Sequence, residues 1–195
     1  MQFKLIQQQT LYQGFFRLKR YTLQHELFGG GWSGQFTREI LDRGKAVAVL
    51  LHDPENDKLL LIEQFRPGAI DDPQGAWMLE IVAGIVESGE DDADVARRES
   101  MEEAGCVVSE VEPVLEYYPS SGGCNETISL YYAAVDLSNT QPGIHGLDSE
   151  NEDIRTHIIS LDTALEWLER GRIKSSMTVI ALQWLALKQL RKTIT

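Results

Sequence analysis

Residues 84–106 read GIVESGEDDADVARRESMEEAGC, and the fold is read outward from this stretch. Five residues separate Gly84 from Glu90, and seven more lead to Arg98-Glu99, followed by Glu102-Glu103 and Gly105. Laid on a helix at about 100° per residue, Ala93, Ala96, Ser100 and Ala104 form a narrow stripe of small side chains. Met101 lies at its edge, and the stripe suits close packing on a sheet. Glu99, Glu102 and Glu103 share an adjoining arc at i, i+3 and i+4. Three carboxylates crowded there repel one another, which costs stability. Hard oxygen donors at this density suit Mg²⁺ or Mn²⁺, which bind carboxylates and substrate phosphates together. Arg98 lies beside the cluster and can orient a carboxylate, with Glu90 its expected partner. Gly84 and Gly89 belong to a loop that approaches a ligand or takes a positive φ, and Gly105 ends the helix.

The rest of the chain supplies strands for this helix to pack on. Residues 3–27 place Phe3, Leu5, Tyr12, Phe15, Phe16, Leu18, Tyr21 and Leu23 among Gln, Lys and Arg, which predicts strands around a turn at Gly14. Gly29–Gly31 is a turn, and residues 35–41 alternate polar and apolar as a strand. Residues 46–51 are continuously apolar, the mark of a buried strand. The Asp53-Pro54-Glu55-Asn56-Asp57 turn then returns residues 59–65 as a hairpin partner. Residues 77–82 form a short strand leading into the Gly84 loop. Strands are expected at 111–118, 127–135 and 154–160, with a loop at 119–123. Residues 136–153 are polar, acidic and aperiodic, a length at which loops are often functional. Helices close the chain at 161–170 and 176–191, the second with Ile180, Trp184, Leu187 and Arg191 on one stripe that is core or interface. The expected class is α+β, a mixed sheet between helices.

A length of 195 residues suits one domain with a small appendage. The formal net charge is −12 and the pI near 4.7. An acidic chain without a basic stripe excludes nucleic acid gripped through its phosphates; a free nucleotide would need divalent cations and a few placed arginines to offset the field. Cys106 and Cys124 lack metal-ligand spacing and read as buried free thiols in a reducing compartment. No apolar run reaches membrane-spanning length and no signal-peptide pattern opens the chain, so a cytoplasmic location is the default expectation.

At every charged and glycine position, residues 84–105 resemble the Nudix box, the signature of hydrolases that cut diphosphates of nucleosides linked to another group. Ser100 stands where the family usually has an aliphatic residue or Ala. The resemblance extends over nearly the whole chain, toward the bacterial ADP-ribose pyrophosphatases. It is carried by Leu11-Tyr12-Gln13-Gly14-Phe15-Phe16, Arg38-Glu39, Glu63-Gln64-Phe65-Arg66, Gly143-Ile144-His145-Gly146-Leu147, Glu150 to Arg155, and Val179 to Leu185. It implies a Nudix fold, an α/β/α sandwich over residues 44–195, preceded by a strand segment at 1–43 that swaps across a homodimer. The implied activity is Mg²⁺-dependent hydrolysis of ADP-ribose to AMP and ribose 5-phosphate, Mn²⁺ being the other candidate ion. The implied ligands are the Ala83 carbonyl, Glu99, Glu103, Glu102 directly or through water, and Glu152 on a closing loop.

Glu150 is implied as the general base, taking a proton from the attacking water. Implied substrate contacts are Phe15, Phe16, Arg38, Glu39, Arg66, Ile85, Ser120, Ser121, Gly122 and Glu126. From the residues alone, Arg38 and Arg66 also fit strand-surface charges, Phe15 and Phe16 a core, and Glu126, Glu150 and Glu152 solvated acids. Ser120-Ser121-Gly122 replaces the Ser-Pro-Gly common in the ADP-ribose subgroup and so lacks a fixed φ. The competing readings are a nucleotide-sugar hydrolase acting on GDP-mannose or ADP-glucose, and a non-catalytic ADP-ribose sensor. Sensors tend to lose box carboxylates, and Glu99, Glu102 and Glu103 are all present. The four His residues, at 25, 52, 145 and 157, form no catalytic arrangement; a structural role is expected for His145.

Overall fold

The computed structural model describes residues 1–194, with side chains through Arg191. The chain divides into two compact units, residues 1–45 with 117–127, and residues 46–116 with 128–195.

The first unit is a three-stranded antiparallel sheet of β1 (Phe3–Gln13), β2 (Arg17–His25) and β3 (Phe36–Asp42), in that order. The expected turn falls at Gly14, where any side chain would run into the Tyr12 ring. β1 is exposed at nearly every position on both faces. The 117–127 segment is stitched to β3: the Leu41 amide donates to the Gly123 carbonyl, and the Leu41 carbonyl accepts from the Asn125 amide. The buried Asp42 anchors the unit's charge, taking Arg17 at 2.9 Å and Lys19 at 2.6 Å.

The second unit is built on an eight-stranded mixed sheet. β4 (Lys45–Asp53) and β5 (Lys58–Phe65) form its centre, and the path runs β10-β11-β5-β4-β9-β8. The others are β8 (Glu112–Tyr117), β9 (Thr127–Ala134), β10 (Ile144–His145) and β11 (Ile154–Ile159). Eight consecutive residues of β4 are buried, because both faces of the sheet are covered. One face packs Val47, Val49, Leu51, Leu60 and Ile62 against α1 (Asp92–Ala104) through Val95, Ala96 and Ala104. The other face meets α3 (Ser176–Ile194), where Thr178 accepts from the Ile81 amide and Trp184 packs on Tyr132. α2 (Leu161–Glu169) is capped by Ser160, whose hydroxyl accepts from the Thr163 amide.

Four details differ from expectation. The strand expected at 77–82 is two, β6 (Trp77–Glu80) pairing with β5 and β7 (Val82–Val86) pairing with β4. Gly84 therefore lies within a strand, not a loop. The aperiodic 136–153 stretch contains β10, paired with β11, and a 3₁₀ turn at Asp148–Glu150. On α3 the buried residues are Thr178, Ala181, Leu182 and Leu185, about one position round from the expected stripe, and Leu187 is 56% exposed. Cys106 and Cys124 are free but half-buried.

Candidate active site

α1 is held at both ends by its own sequence. Asp91 caps its first turn, its carboxylate accepting from the Ala93 and Asp94 amides at 2.9 and 3.3 Å. Gly105 closes it at φ 62°, its amide bonded to Met101, while the Cys106 amide reaches Ser100. The face turned to the sheet is Val95, Ala96, Ser100, Glu103 and Ala104. This corrects the expected stripe: Ala93 is only half-buried and Met101 is exposed, because the sheet reaches the helix one position round, at Val95 and Glu103. Ser100 is buried without penalty, since its hydroxyl donates to the Ala96 carbonyl at 2.7 Å.

That rotation separates the three box glutamates. Glu103 is carried under β7 and is 2% exposed; its carboxylate accepts from the Ala83 amide at 2.9 Å and from the Gln64 side-chain amide at 3.3 Å. Glu99 lies against Gly84, where an added methyl group would overlap its carboxylate. Gly84 is thus needed for close approach and not for its φ, whereas Gly89 does take a positive φ of 93°. Glu102 stands further out and is drawn to Arg98 at 3.0 Å. Arg98 also meets Glu99 at 2.8 Å, while Glu90, its expected partner, is 3.9 Å away and accepts from the Glu87 amide.

Burial pushes the Glu103 carboxyl up to about 8; the Ala83 amide and the Arg66 charge oppose this, and Glu99 and Glu152 add to it. Burial also pushes Glu99 up to about 7, against Arg98 and reinforced by Glu102, Glu152 and Glu150. The loop acids therefore act on the same field as the helix acids.

The 143–152 segment is fastened to the end of α1. The Gly146 amide donates to the Glu102 carbonyl at 3.1 Å, and the Leu147 amide to the Glu152 carboxylate at 3.2 Å. Asn151 turns the chain in the left-handed region at φ 57°. The His145 ring fills the space beside Gly105 and Gly143, where a side chain on either glycine would crowd it.

The other candidate positions are spread over both units. In the second, Ile85 is 42% exposed on β7, and Arg66 donates from Nε to Glu80 at 2.6 Å. In the first, Phe15 is 86% exposed and packs edge-on to the half-buried Phe16 at 4.7 Å between ring centroids. Arg43 stacks over the Phe16 ring at 4.2 Å and binds Glu126 at 2.7 Å. Arg38 covers the Phe36 ring, and Glu39 is paired with Arg20 at 2.7 Å. Ser120, Ser121 and Gly122 form an exposed turn in which the Ser120 carbonyl accepts from the Gly123 and Cys124 amides. Sequence reasoning gave no role to Arg43 or Glu80, and named Gln64 only within the Glu63–Arg66 segment. A period of two along β5 places Gln64 on the face of Arg66; nothing local points to Arg43 or Glu80, whose partners are remote in sequence.

Comparison with known proteins places this geometry. The NUDIX domain model matches residues 42–181. The chain belongs to the Nudix family. Within it, the chain is 48% identical over 184 residues to the ADP-ribose pyrophosphatase of Escherichia coli K12, covering 94% of this chain and 88% of that one. The ADP-ribose pyrophosphatase of Haemophilus influenzae is 46% identical over 187 residues, covering 94% and 86%. The GDP-mannose pyrophosphatase of Yersinia pestis is 33% identical over 180 residues, covering 92% and 89%. A solved structure described as an ADP compounds hydrolase superposes with a TM-score of 0.71 over 99% of this chain and 96% of that one, at 17% identity, and shows the fold.

The Nudix box residues fit a hard divalent cation. Glu103 is a buried carboxyl whose field resists ionisation, and Glu99 and the loop acids reinforce that field; a dication is the group that would relieve it. As they stand the acids are drawn apart, onto Arg98 and the Ala83 amide. Among the described residues no three acidic, His or Cys side chains already converge at ligand geometry.

Proposed function

We propose that this Nudix enzyme is an ADP-ribose pyrophosphatase, hydrolysing ADP-ribose to AMP and ribose 5-phosphate with Mg²⁺. The carrying observation is 48% identity to a protein of that name across 94% of the chain, with all three box glutamates kept. The similarity to a GDP-mannose pyrophosphatase is weaker, at 33%.

Glu99, Glu103 and the Ala83 carbonyl would hold the metal, with Glu102 and, from the loop, Glu152. A divalent cation there supplies charge neutralisation for the diphosphate oxygens and acidifies water. Arg98 keeps Glu99 and Glu102 oriented between turnovers. Gly84 lets the Glu99 carboxylate lie on the β7 backbone. Glu150 accepts the proton of the attacking water; the new P–O bond forms as the bridging P–O bond breaks and one phosphate departs with the bridging oxygen. Phe15, Phe16, Arg38, Glu39, Arg66, Ile85, Glu126 and the Ser120–Gly122 turn are the proposed substrate contacts.

The N-terminal strand segment, residues 1–43, is proposed to swap across a homodimer. In support, β1 presents Phe3, Leu5, Ile6 and Tyr12 to solvent, a long edge strand of the kind that proteins cover. Two free cysteines fit a reducing compartment such as the cytoplasm. The test is a panel of ADP-ribose, ADP-glucose and GDP-mannose with Mg²⁺, products separated by chromatography. ADP-ribose is expected to give the highest kcat/KM; a higher value for either other substrate overturns the assignment.

A further inference from the structure

We propose that Glu80 is a positioning residue for substrate binding, holding the Arg66 guanidinium so that its outer edge meets the anionic diphosphate. This rests on the reading of the site as a nucleoside-diphosphate hydrolase. Glu80 lies at the end of β6, opposite Ile62 of β5, with its side chain only 6% exposed. It accepts from Arg66 Nε at 2.6 Å, a short charge-assisted bond. The Arg66 side chain is 39% exposed, so the inner donor is tied down while the side chain still reaches solvent.

Arg66 lies two residues beyond Gln64, whose side-chain amide donates at 3.3 Å to Glu103, the most buried of the box acids. Arg98, the box's own arginine, is engaged by Glu99, Glu102 and Glu90. A guanidinium restrained through Nε, on a side chain that still reaches solvent, is arranged to take a phosphate oxygen pair.

Stability gives a weak reason for such a pair. A carboxylate taken out of water loses solvation that one ion pair seldom repays in full. The backbone at Arg66 is secured without it: the Arg66 amide donates to the Ala76 carbonyl at 2.8 Å, and Pro67 opens a 3₁₀ turn. What the carboxylate adds is the direction of a long side chain with several rotatable bonds. Orientation fixed in advance lowers the ordering cost of binding.

The experiment measures kcat and KM for ADP-ribose at saturating Mg²⁺ for Glu80→Gln, Arg66→Ala, Arg66→Lys and the double variant Glu80→Gln/Arg66→Ala. Glu80→Gln should raise KM about 10-fold with kcat within about twofold, the size expected for one charged hydrogen bond. The double variant should be no worse than Arg66→Ala alone, since Glu80 acts through Arg66. Guanidinium ion added at millimolar concentration should lower the KM of Arg66→Ala and leave the double variant unchanged, because Glu80 is what would seat the ion. A purely structural Glu80 would not produce that rescue pattern. Multiplicative effects in the double variant, or equal rescue with and without Glu80, overturn the proposal. Should Glu80→Gln not fold, Arg66→Lys decides: it keeps the charge and loses Nε, and a wild-type KM for it refutes the tethered fork. If wild type prefers another nucleoside diphosphate, the functional assignment fails, and the same comparison on that substrate still tests Glu80.

Discussion

Replacing Glu103 by Gln should make the metal-free protein more stable while nearly abolishing turnover. The Glu103 carboxyl is 2% exposed and held up at about 8 by burial first and then by Glu99 and Glu152. In the unfolded chain it ionises from its ordinary value of 4.5 upward, while in the folded chain it keeps its proton until about 8. The folded state therefore binds more protons across this window, and stability falls as pH rises through it, by about 1.4 kcal/mol per pH unit. At pH 7 the accumulated loss is roughly 3 kcal/mol.

Gln cannot ionise and has nearly the same volume. Its oxygen can accept from the Ala83 amide, and its amide can donate to Gln64 once that side chain turns over. Without metal, Glu103→Gln should match wild type near pH 4.5 and exceed it by about 3 kcal/mol at pH 7 and about 4 kcal/mol at pH 8, the former being roughly 6–12 °C in Tm for a chain of this size. Mg²⁺ should reverse the order. Wild type gains about 2.7 kcal/mol at 100 times its Kd, and the variant, with one anionic ligand fewer, gains much less. The assay is thermal unfolding in EDTA at pH 4.5 and pH 8, then with Mg²⁺, beside turnover at saturating Mg²⁺. A variant less stable than wild type at pH 8 in EDTA would refute the burial argument, and one with the wild-type Mg²⁺ gain and near-normal turnover would remove Glu103 from the metal site.

Glu150→Gln should cut kcat by about 100-fold or more with little change in KM, whereas Glu152→Gln should mainly raise the Mg²⁺ concentration required; the opposite pattern in a Mg²⁺ titration of both reverses their roles. Gly84→Ala should displace the Glu99 carboxylate and lower kcat and Mg²⁺ affinity together, and wild-type Mg²⁺ dependence would deny the close approach. Asp53, 1% exposed, is held down at about 2 by the Asn56 side chain and the Leu137, Asn56 and Glu55 amides. Its contribution of about 2 kcal/mol is present above pH 3.8 and lost as pH falls toward 2; Asp53→Asn should lose that amount at pH 7, and a stability gap to wild type that does not narrow in acid contradicts this. Sedimentation should show a dimer at micromolar concentration, and Phe15→Ala with Phe16→Ala should raise KM; a monomer, or an unchanged KM, rejects the swap or the stacking role respectively.

The box helix, the glutamate arc and the strand positions were legible in the sequence because each depends on short-range geometry. A helix brings residues three and four apart together, and a strand alternates its faces, whatever else the chain does. Gly105 and the turn at residues 53–57 likewise act on their own backbone. What the tertiary structure decided is the inequality among the acids. By spacing, Glu99, Glu102 and Glu103 are equivalent members of one arc. Only the placement of β7 and Gln64 over the helix makes Glu103 the buried one and leaves Glu102 to Arg98. The same holds for Gly84, whose missing Cβ matters because Glu99 arrives from another element, and for the 143–152 segment, aperiodic in sequence yet fastened to Glu102. Arg43 and Glu80 acquire roles only through partners 83 and 14 residues away. Desolvation and Coulomb energy are set by what surrounds a charge in space, and those surroundings are assembled from segments whose proximity no local pattern records.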